Sequence, residues 1–168
     1  MKELIDIVDE NNRPTGMKKE KLQAHQEGCW HRTTQIWVLN QEGEILVGKR
    51  SFNQYQDSGK WASYFGGHLL AAETYIEGAL RELQEELKIK AKSQRLRKVE
   101  SRKNRGPNEF VQIFIFVIKK GETFTLSEEI TEYRFVSKEE LFAWAWKQPK
   151  DFSGDRAYIE RQIQLLNQ

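Results

Sequence analysis

Five glutamates crowd into fourteen residues: Glu73, Glu77, Glu82, Glu85 and Glu86. At about 100° per helical residue, Glu82, Glu85 and Glu86 share an arc of about 100°. Like charges at this spacing repel by a few tenths of a kcal/mol per pair. A helix that needed only solubility could interleave lysines. Clustered carboxylates are instead the hard oxygen donors that Mg²⁺ or Mn²⁺ takes, with water and phosphate oxygens completing the shell. Arg81 lies four residues after Glu77 and four before Glu85, so it can hold carboxylates in position. Upstream, Gly66-Gly67 lets backbone approach the same place closely, and a carbonyl there is a further oxygen donor.

These residues need a rigid support, and the pattern supplies one. Thr74 and Glu77 have the spacing of a capping box, which predicts a helix from Thr74 to Leu87. Ile76, Ala79, Leu80, Leu83 and Leu87 form its apolar face, centred roughly 120° from the carboxylates. Strands are expected at Leu4 to Val8, Thr33 to Leu39, Glu44 to Lys49, Trp61 to Phe65, Gln94 to Val99, Phe110 to Ile118 and Tyr133 to Val136. The second and third should form a hairpin across Asn40-Gln41-Glu42-Gly43. Phe110 to Ile118, almost wholly apolar, reads as a central strand buried on both faces. Ser137 with Glu140 opens a second helix, and Asp155 to Leu166 a last one. The fold class is α/β: a mixed sheet between helices.

Composition removes other classes. With 168 residues the chain is one domain, residues 1–30 forming an N-terminal extension packed on the core. Charges nearly balance, 27 Lys+Arg against 25 Asp+Glu, which predicts no general affinity for nucleic acid. Cys29 is the single cysteine, which excludes a disulfide scaffold and reads as a small core residue. No apolar run approaches the roughly 20 residues of a membrane span, and no signal peptide opens the chain, so a cytoplasmic protein is expected. Lys88 to Arg105 is locally basic, with nine Lys/Arg and only Glu100. It reads either as a protected edge strand or as an attractor of polyanions. Trp37, Trp61, Tyr64 and Phe110 could stack a base, although buried core is the better reading for most of them. The Trp144/Trp146 pair and the Glu77 side of the helix offer surfaces for a homodimer.

The full spacing Gly67-x5-Glu73-x7-Arg81-Glu82-Leu83-x-Glu85-Glu86-x-Lys88-Ile89 resembles the Nudix box, G-x5-E-x7-R-E-U-x-E-E-x-G-U with U aliphatic. Eight of nine specified positions match. The exception is Lys88, where the box has a glycine suited to a left-handed helix end. The N-terminal layout, with Ile5-Asp-Ile-Val-Asp and His31-Arg32, is similar to the branch that includes isopentenyl-diphosphate isomerase.

The resemblance implies an α/β/α sandwich with a central mixed sheet. It implies Mg²⁺-dependent (or Mn²⁺-dependent) hydrolysis of a phosphoanhydride bond in a nucleoside diphosphate linked to X, a small-molecule diphosphate. Glu82, Glu85 and Glu86 would bind metal together with the Gly66 carbonyl. Glu73 would serve that metal site, and Arg81 would orient it. The general base comes either from the Glu128/Glu129 loop or from Glu82. Substrate contacts fall to His68, Arg32 and Glu109. His31 beside Arg32 reads as structural or substrate-facing, and His25 as a surface residue.

Two other functions compete. The isomerase relatives use a cysteine before a Gly-His pair, a later glutamate and metal-bound histidines. Here Gly66 stands where that cysteine would be, while His25, His31, His68 and Glu109 fall near the remaining positions. The third reading is a nucleotide-binding regulator that has lost catalysis.

Overall fold

The computed structural model describes residues 3–53 and 57–167; part of the loop expected between Phe52 and Lys60 thus lies outside the described residues. Leu4–Val8 is a strand, β1, in which Ile5, Ile7 and Val8 are buried and Leu4 and Asp6 are less so. It pairs antiparallel with Pro14–Glu20 (β2) in a separate two-stranded sheet, and the short helix Lys21–Gln26 (α1) follows. Neither β2 nor α1 has a sequence signal. The strand is exposed over most of its length, and the helix buries only Ala24.

The main sheet contains His31–Leu39 (β3), Ile45–Arg50 (β4), Trp61–Ala62 (β5), Arg97–Asn104 (β6), Glu109–Val117 (β7) and Ile130–Val136 (β8). Its order is β5-β4-β3-β7-β6, with β8 also on β4. β3 and β7 run parallel from His31↔Glu109 to Leu39↔Val117, and the other pairs are antiparallel. The nearly apolar β7 is central, as expected. β3 and β4 pair only at Leu39↔Ile45, so the expected hairpin splays open beyond its turn. The following segment enters that opening, through bridges Ile36↔Phe65 and Thr33↔His68. Gly66 and Gly67 therefore lie between two diverging strands, which gives a side chain from above access to their backbone.

That side chain comes from Tyr75–Leu87 (α2), whose capping box between Thr74 and Glu77 is complete. Its Ala79, Leu83 and Leu87 pack on Ile36, Val38, Phe114 and Phe116. Ile76, in the first turn of the helix, is 41% exposed although it lies on the same arc as Leu83, while Gly78 and Glu86 are buried. The opposite sheet face is covered by Lys138–Lys147 (α3) and Arg156–Leu166 (α4), through Leu141, Ala145 and Ile159 on Ile45 and Val47. Asp155 caps α4 by accepting from Tyr158 N at 2.8 Å. Helices on both faces of a mixed sheet make the α/β/α sandwich.

Two strand expectations change. Trp61 to Phe65 is ladder-paired only at Trp61–Ala62 before it leaves β4. Gln94 to Val99 begins as a 3₁₀ turn over Ser93–Arg95, and the strand itself runs Arg97–Asn104. Arg95 is held there by Glu122 and by the Val117 carbonyl. β6 takes its register from β7 and lies at the sheet edge, where a polar strand needs no apolar alternation.

Candidate active site

Arg81 sits one and a half turns into α2 and joins four partners. Nε donates to Glu73 at 2.8 Å; Nη1 donates to Glu82 at 2.9 Å and Glu85 at 2.8 Å; Nη2 donates to the His68 carbonyl at 2.8 Å and Glu73 at 3.0 Å. Burial works against its charge, but the bonds to Glu73 and the nearby Glu82 outweigh this and raise its pKa. Glu73 also accepts from Leu70 N at 2.8 Å. Both Glu73 oxygens thus hold Arg81 and the loop, a supporting position.

Glu86 is buried, and Glu82 is nearly so, against the two glycines. Gly66 N donates to Glu86 at 2.9 Å. A Cβ on Gly67 would lie 2.6 Å from a Glu82 oxygen, so only glycine lets that carboxylate approach. Burial pushes the Glu82 carboxyl up to about 7, with Glu85 and Glu129 adding repulsion against the lowering effect of Arg81. Burial likewise pushes Glu86 up to about 8, helped by Glu82 and Glu129. Two carboxyls whose pKa values burial raises toward neutral pH, with neighbouring carboxylates adding to the effect, suit a site that receives a cation. Glu85 is 56% exposed at the rim.

A cleft beside Glu86 is lined by Arg50, Tyr64, Phe65 and Glu129. Glu129 reaches it because its loop is tied down: Ser127 N donates to the Glu86 carbonyl at 2.9 Å, and Ser51 N to the Glu129 carbonyl at 2.7 Å. Glu128 is exposed and does not line the cleft. Arg50 has no spacing signal in the sequence, and Tyr64 reads there as a core or base-stacking ring. Arg50 becomes visible only once β4 is seen to end opposite α2.

A second cluster adjoins the first through His68. The donor atoms of His25, His31, His68 and Glu109 all lie within 4.8 Å of one another. His25 Nε2 is 2.8 Å from His68 Nε2. His31 Nε2 is 3.6 Å, and His68 Nε2 4.0 Å, from Glu109 Oε1. His31 Nδ1 lies 2.9 Å from the Cys29 carbonyl and donates to it, which leaves the lone pair on its buried, unpartnered Nε2 facing the cluster. Burial, with Lys21 and the neighbouring imidazoles, lowers the pKa of His68 to about 2, and burial and His31 lower that of His25. Neutral imidazoles with converging lone pairs and one carboxylate are a metal-ligand set. The surface reading of His25 is therefore corrected: α1 turns it inward onto His68. Its approximate alignment with the isomerase metal histidines was the available signal.

Arg32 lies elsewhere. Its Nε donates to Asn12 Oδ1 at 2.7 Å and its Nη2 to the Asn12 carbonyl at 2.8 Å, at the Tyr75 end of α2. Gly66 has φ 128°, and an added Cβ would stand 2.3 Å from the Thr34 carbonyl oxygen. The position that holds the isomerase thiol is here blocked by backbone.

The NUDIX domain family model matches residues 30–162. An isopentenyl-diphosphate Delta-isomerase of Burkholderia multivorans is 29% identical, covering 91% of this chain and 88% of its own length. Nudix hydrolase 3 of Arabidopsis thaliana is 28% identical over 91% of this chain but only 22% of the plant protein. Among solved structures, DR0079 from Deinococcus radiodurans superposes with a TM-score of 0.79 at 20% identity, covering 96% and 99% of the two chains. A MutT protein from Methanosarcina mazei gives 0.64 at 24%, covering 83% and 96%. With the matched family model spanning both the glutamate helix and the sheet that carries it, the chain belongs to the Nudix hydrolase family.

Proposed function

We propose that this chain is a cytoplasmic, divalent-cation-dependent pyrophosphohydrolase that cleaves a phosphoanhydride bond in a nucleoside diphosphate linked to X or a related organic pyrophosphate. The observation that carries this reading is that Glu86 and Glu129 line a cleft together with Arg50, with Glu82 near enough to act electrostatically on Glu86. Glu82, Glu85, Glu86 and the Gly66 carbonyl are the groups that would hold Mg²⁺ or Mn²⁺. The raised pKa values of two of them suit an oxygen cage that gains from a cation. Such an ion, when bound, neutralises the diphosphate and stabilises the charge that develops during in-line attack by water.

The chain's own groups divide the remaining work. Arg81 keeps Glu82 and Glu85 aligned through charge-assisted bonds, with Glu73 fixing Arg81 in turn. Arg50 gives the cleft a cation for phosphate oxygens. Glu129 accepts the proton of the attacking water, with Glu82 as the other candidate base. Glu109 and His68, with His25 and His31, would hold a second ion beside the cleft. Their three imidazoles select a transition ion such as Zn²⁺ over Mg²⁺.

That second cluster is the observation that favours an isopentenyl-diphosphate isomerase reading. The blocked Gly66 position counts against it, since no thiol stands there to move a proton. The deciding assay supplies metal-loaded protein with nucleoside-diphosphate sugars, dinucleotides, nucleoside triphosphates and isopentenyl diphosphate. Release of monophosphate products supports the hydrolase; formation of the allylic isomer without hydrolysis supports the isomerase. Tight nucleotide binding without turnover of any of these supports the silent regulator.

A further inference from the structure

Ala62, Tyr64 and Phe65 form one wall of the catalytic cleft. Their segment changes partners on the way. The ladder with β4 ends at Gly48↔Ala62, and the bridge to β3 forms at Ile36↔Phe65. Ser63 and Tyr64 therefore cross from one strand to the other. Ser63 is buried, and a buried main-chain carbonyl at such a crossing still needs a donor.

The C-terminal helix supplies it. Gln162 lies on the inward side of α4 and is fully buried. Its Nε2 donates to the Ser63 carbonyl at 2.9 Å, and its Oε1 accepts from Ser63 Oγ at 2.6 Å. The carbonyl can only accept, so the amide turns its NH₂ group there and its oxygen to the hydroxyl. One turn earlier on the same helix face, Tyr158 sets its ring edge-on to Tyr64, with centroids 5.5 Å apart. Trp61, where the segment begins, is held from the same part of the chain: its carbonyl accepts from Ser153 N at 2.8 Å. At the crossing, α4 and the turn before it thus take over the support that the sheet gives elsewhere.

The carboxylate side of the cleft does not depend on this clamp. Gly66 N donates to Glu86, Thr34 N donates to the Gly67 carbonyl at 2.8 Å, and Arg81 holds Glu82 from within α2. One side of the cleft is fixed through α4, the other through α2 and β3. Loss of the first set of bonds moves the wall against which a substrate rests. Loss of the second disturbs the carboxylate cage.

We propose that Gln162 is a positioning residue for the hydrolysis: acting through Ser63, it holds the Tyr64 wall at the separation from Glu86 that a diphosphate-linked substrate requires. The proposal rests on the hydrolase reading and adds to it a support outside the glutamate helix.

The test compares the full metal-loaded chain with two variants. Gln162→Met keeps length and bulk but makes neither bond; Ser63→Ala loses only the hydroxyl bond. Steady-state kinetics on the substrate found by the screen is paired with calorimetric titration of adenosine 5′-(α,β-methylene)diphosphate, a nucleoside diphosphate whose bridge cannot be hydrolysed. Gln162→Met should raise KM and the Kd of the analogue by about tenfold, with kcat within about threefold of the unmodified chain. Ser63→Ala should shift KM and Kd in the same direction by about threefold. Ile159→Val, which loosens the same helix without touching the amide, should lower Tm and leave KM and Kd unchanged. KM and Kd that stay within about twofold in Gln162→Met overturn the proposal. So does an equal rise in Ile159→Val, which would make Gln162 a general support of the fold. If Gln162→Met does not fold, Ser63→Ala decides: a rise of about threefold upholds the proposal, and none overturns it. If the analogue binds without turnover of any substrate, Kd alone decides on the same terms. An unmodified chain that neither binds the analogue nor hydrolyses any substrate overturns the hydrolase reading, and this proposal with it.

Discussion

Arg81 donates to the carbonyl oxygen of His68 at 2.8 Å, and the side chain of that same histidine enters the cluster with His25. One peptide thus links the carboxylate cage to the imidazole cage. The guanidinium fork can serve Glu73, Glu82, Glu85 and His68 at once because its donors are planar and fixed.

A lysine at this position keeps the charge but cannot reach all four acceptors. Arg81→Lys should therefore fold and lose about ten- to a hundredfold in kcat, with a smaller effect on KM. Steady-state kinetics on the substrate found by the screen, with circular dichroism as the folding control, checks this.

The metal-free protein should become less stable as the pH rises. Glu82 and Glu86 titrate at about 7 and about 8, above the usual value of 4.5. Between about pH 4.5 and 8 the folded chain binds more protons than the unfolded chain, so its stability declines across that window, by on the order of a few kcal/mol. In a chelator, Tm should fall by several degrees from pH 5.5 to 8.5. Glu86→Gln should flatten much of that slope, and excess Mg²⁺ should offset it. A Tm that rises with pH over this range speaks against the buried carboxyl pair.

Gly66→Cys would place the isomerase's atom type at its aligned position. The added Cβ meets the Thr34 carbonyl at 2.3 Å, in a backbone region that non-glycine residues avoid. The variant should lose about 3 kcal/mol or more of stability and gain no isomerase activity. Denaturant unfolding and an isomerisation assay together measure both halves.

Lys88 ends α2 in the left-handed conformation, at φ 58°. It is the one specified box position where the sequence departs from glycine. Lys88→Gly should raise stability by about 1 kcal/mol, which for a chain of this size is about 2–4 °C in Tm, with kcat unchanged. The gain is reduced by the loss of the bond from Lys88 Nζ to the Glu85 carbonyl. Differential scanning calorimetry checks the direction.

The parts of the fold with a local signature were readable from the sequence. Thr74/Glu77 and Ser137/Glu140 mark the two helices that open with a capping box, because that box is written in three residues of spacing. The long apolar run of β7 announced a central strand. What escaped was decided at a distance. The exposed strand β2 exists because β1 offers it a partner, and β6 takes its limits from β7 rather than from its own polar residues. The divergence of β3 and β4, which admits Gly66 and Gly67, appears nowhere in the hairpin's own residues. For the site, the box spacing pointed to the glutamates. Burying Glu86 against Gly66, turning His25 inward and bringing Arg50 opposite α2 are tertiary facts, each created by pairing between distant segments.

The central claim is that Glu86, with Glu82 and Glu85, holds the cation needed to cleave a diphosphate. Its most direct measurement is kcat of Glu86→Gln against the unmodified chain, at saturating Mg²⁺ and with matched circular dichroism spectra. The account predicts a loss of at least about 100-fold. Activity within about threefold of the unmodified enzyme under those conditions would contradict it.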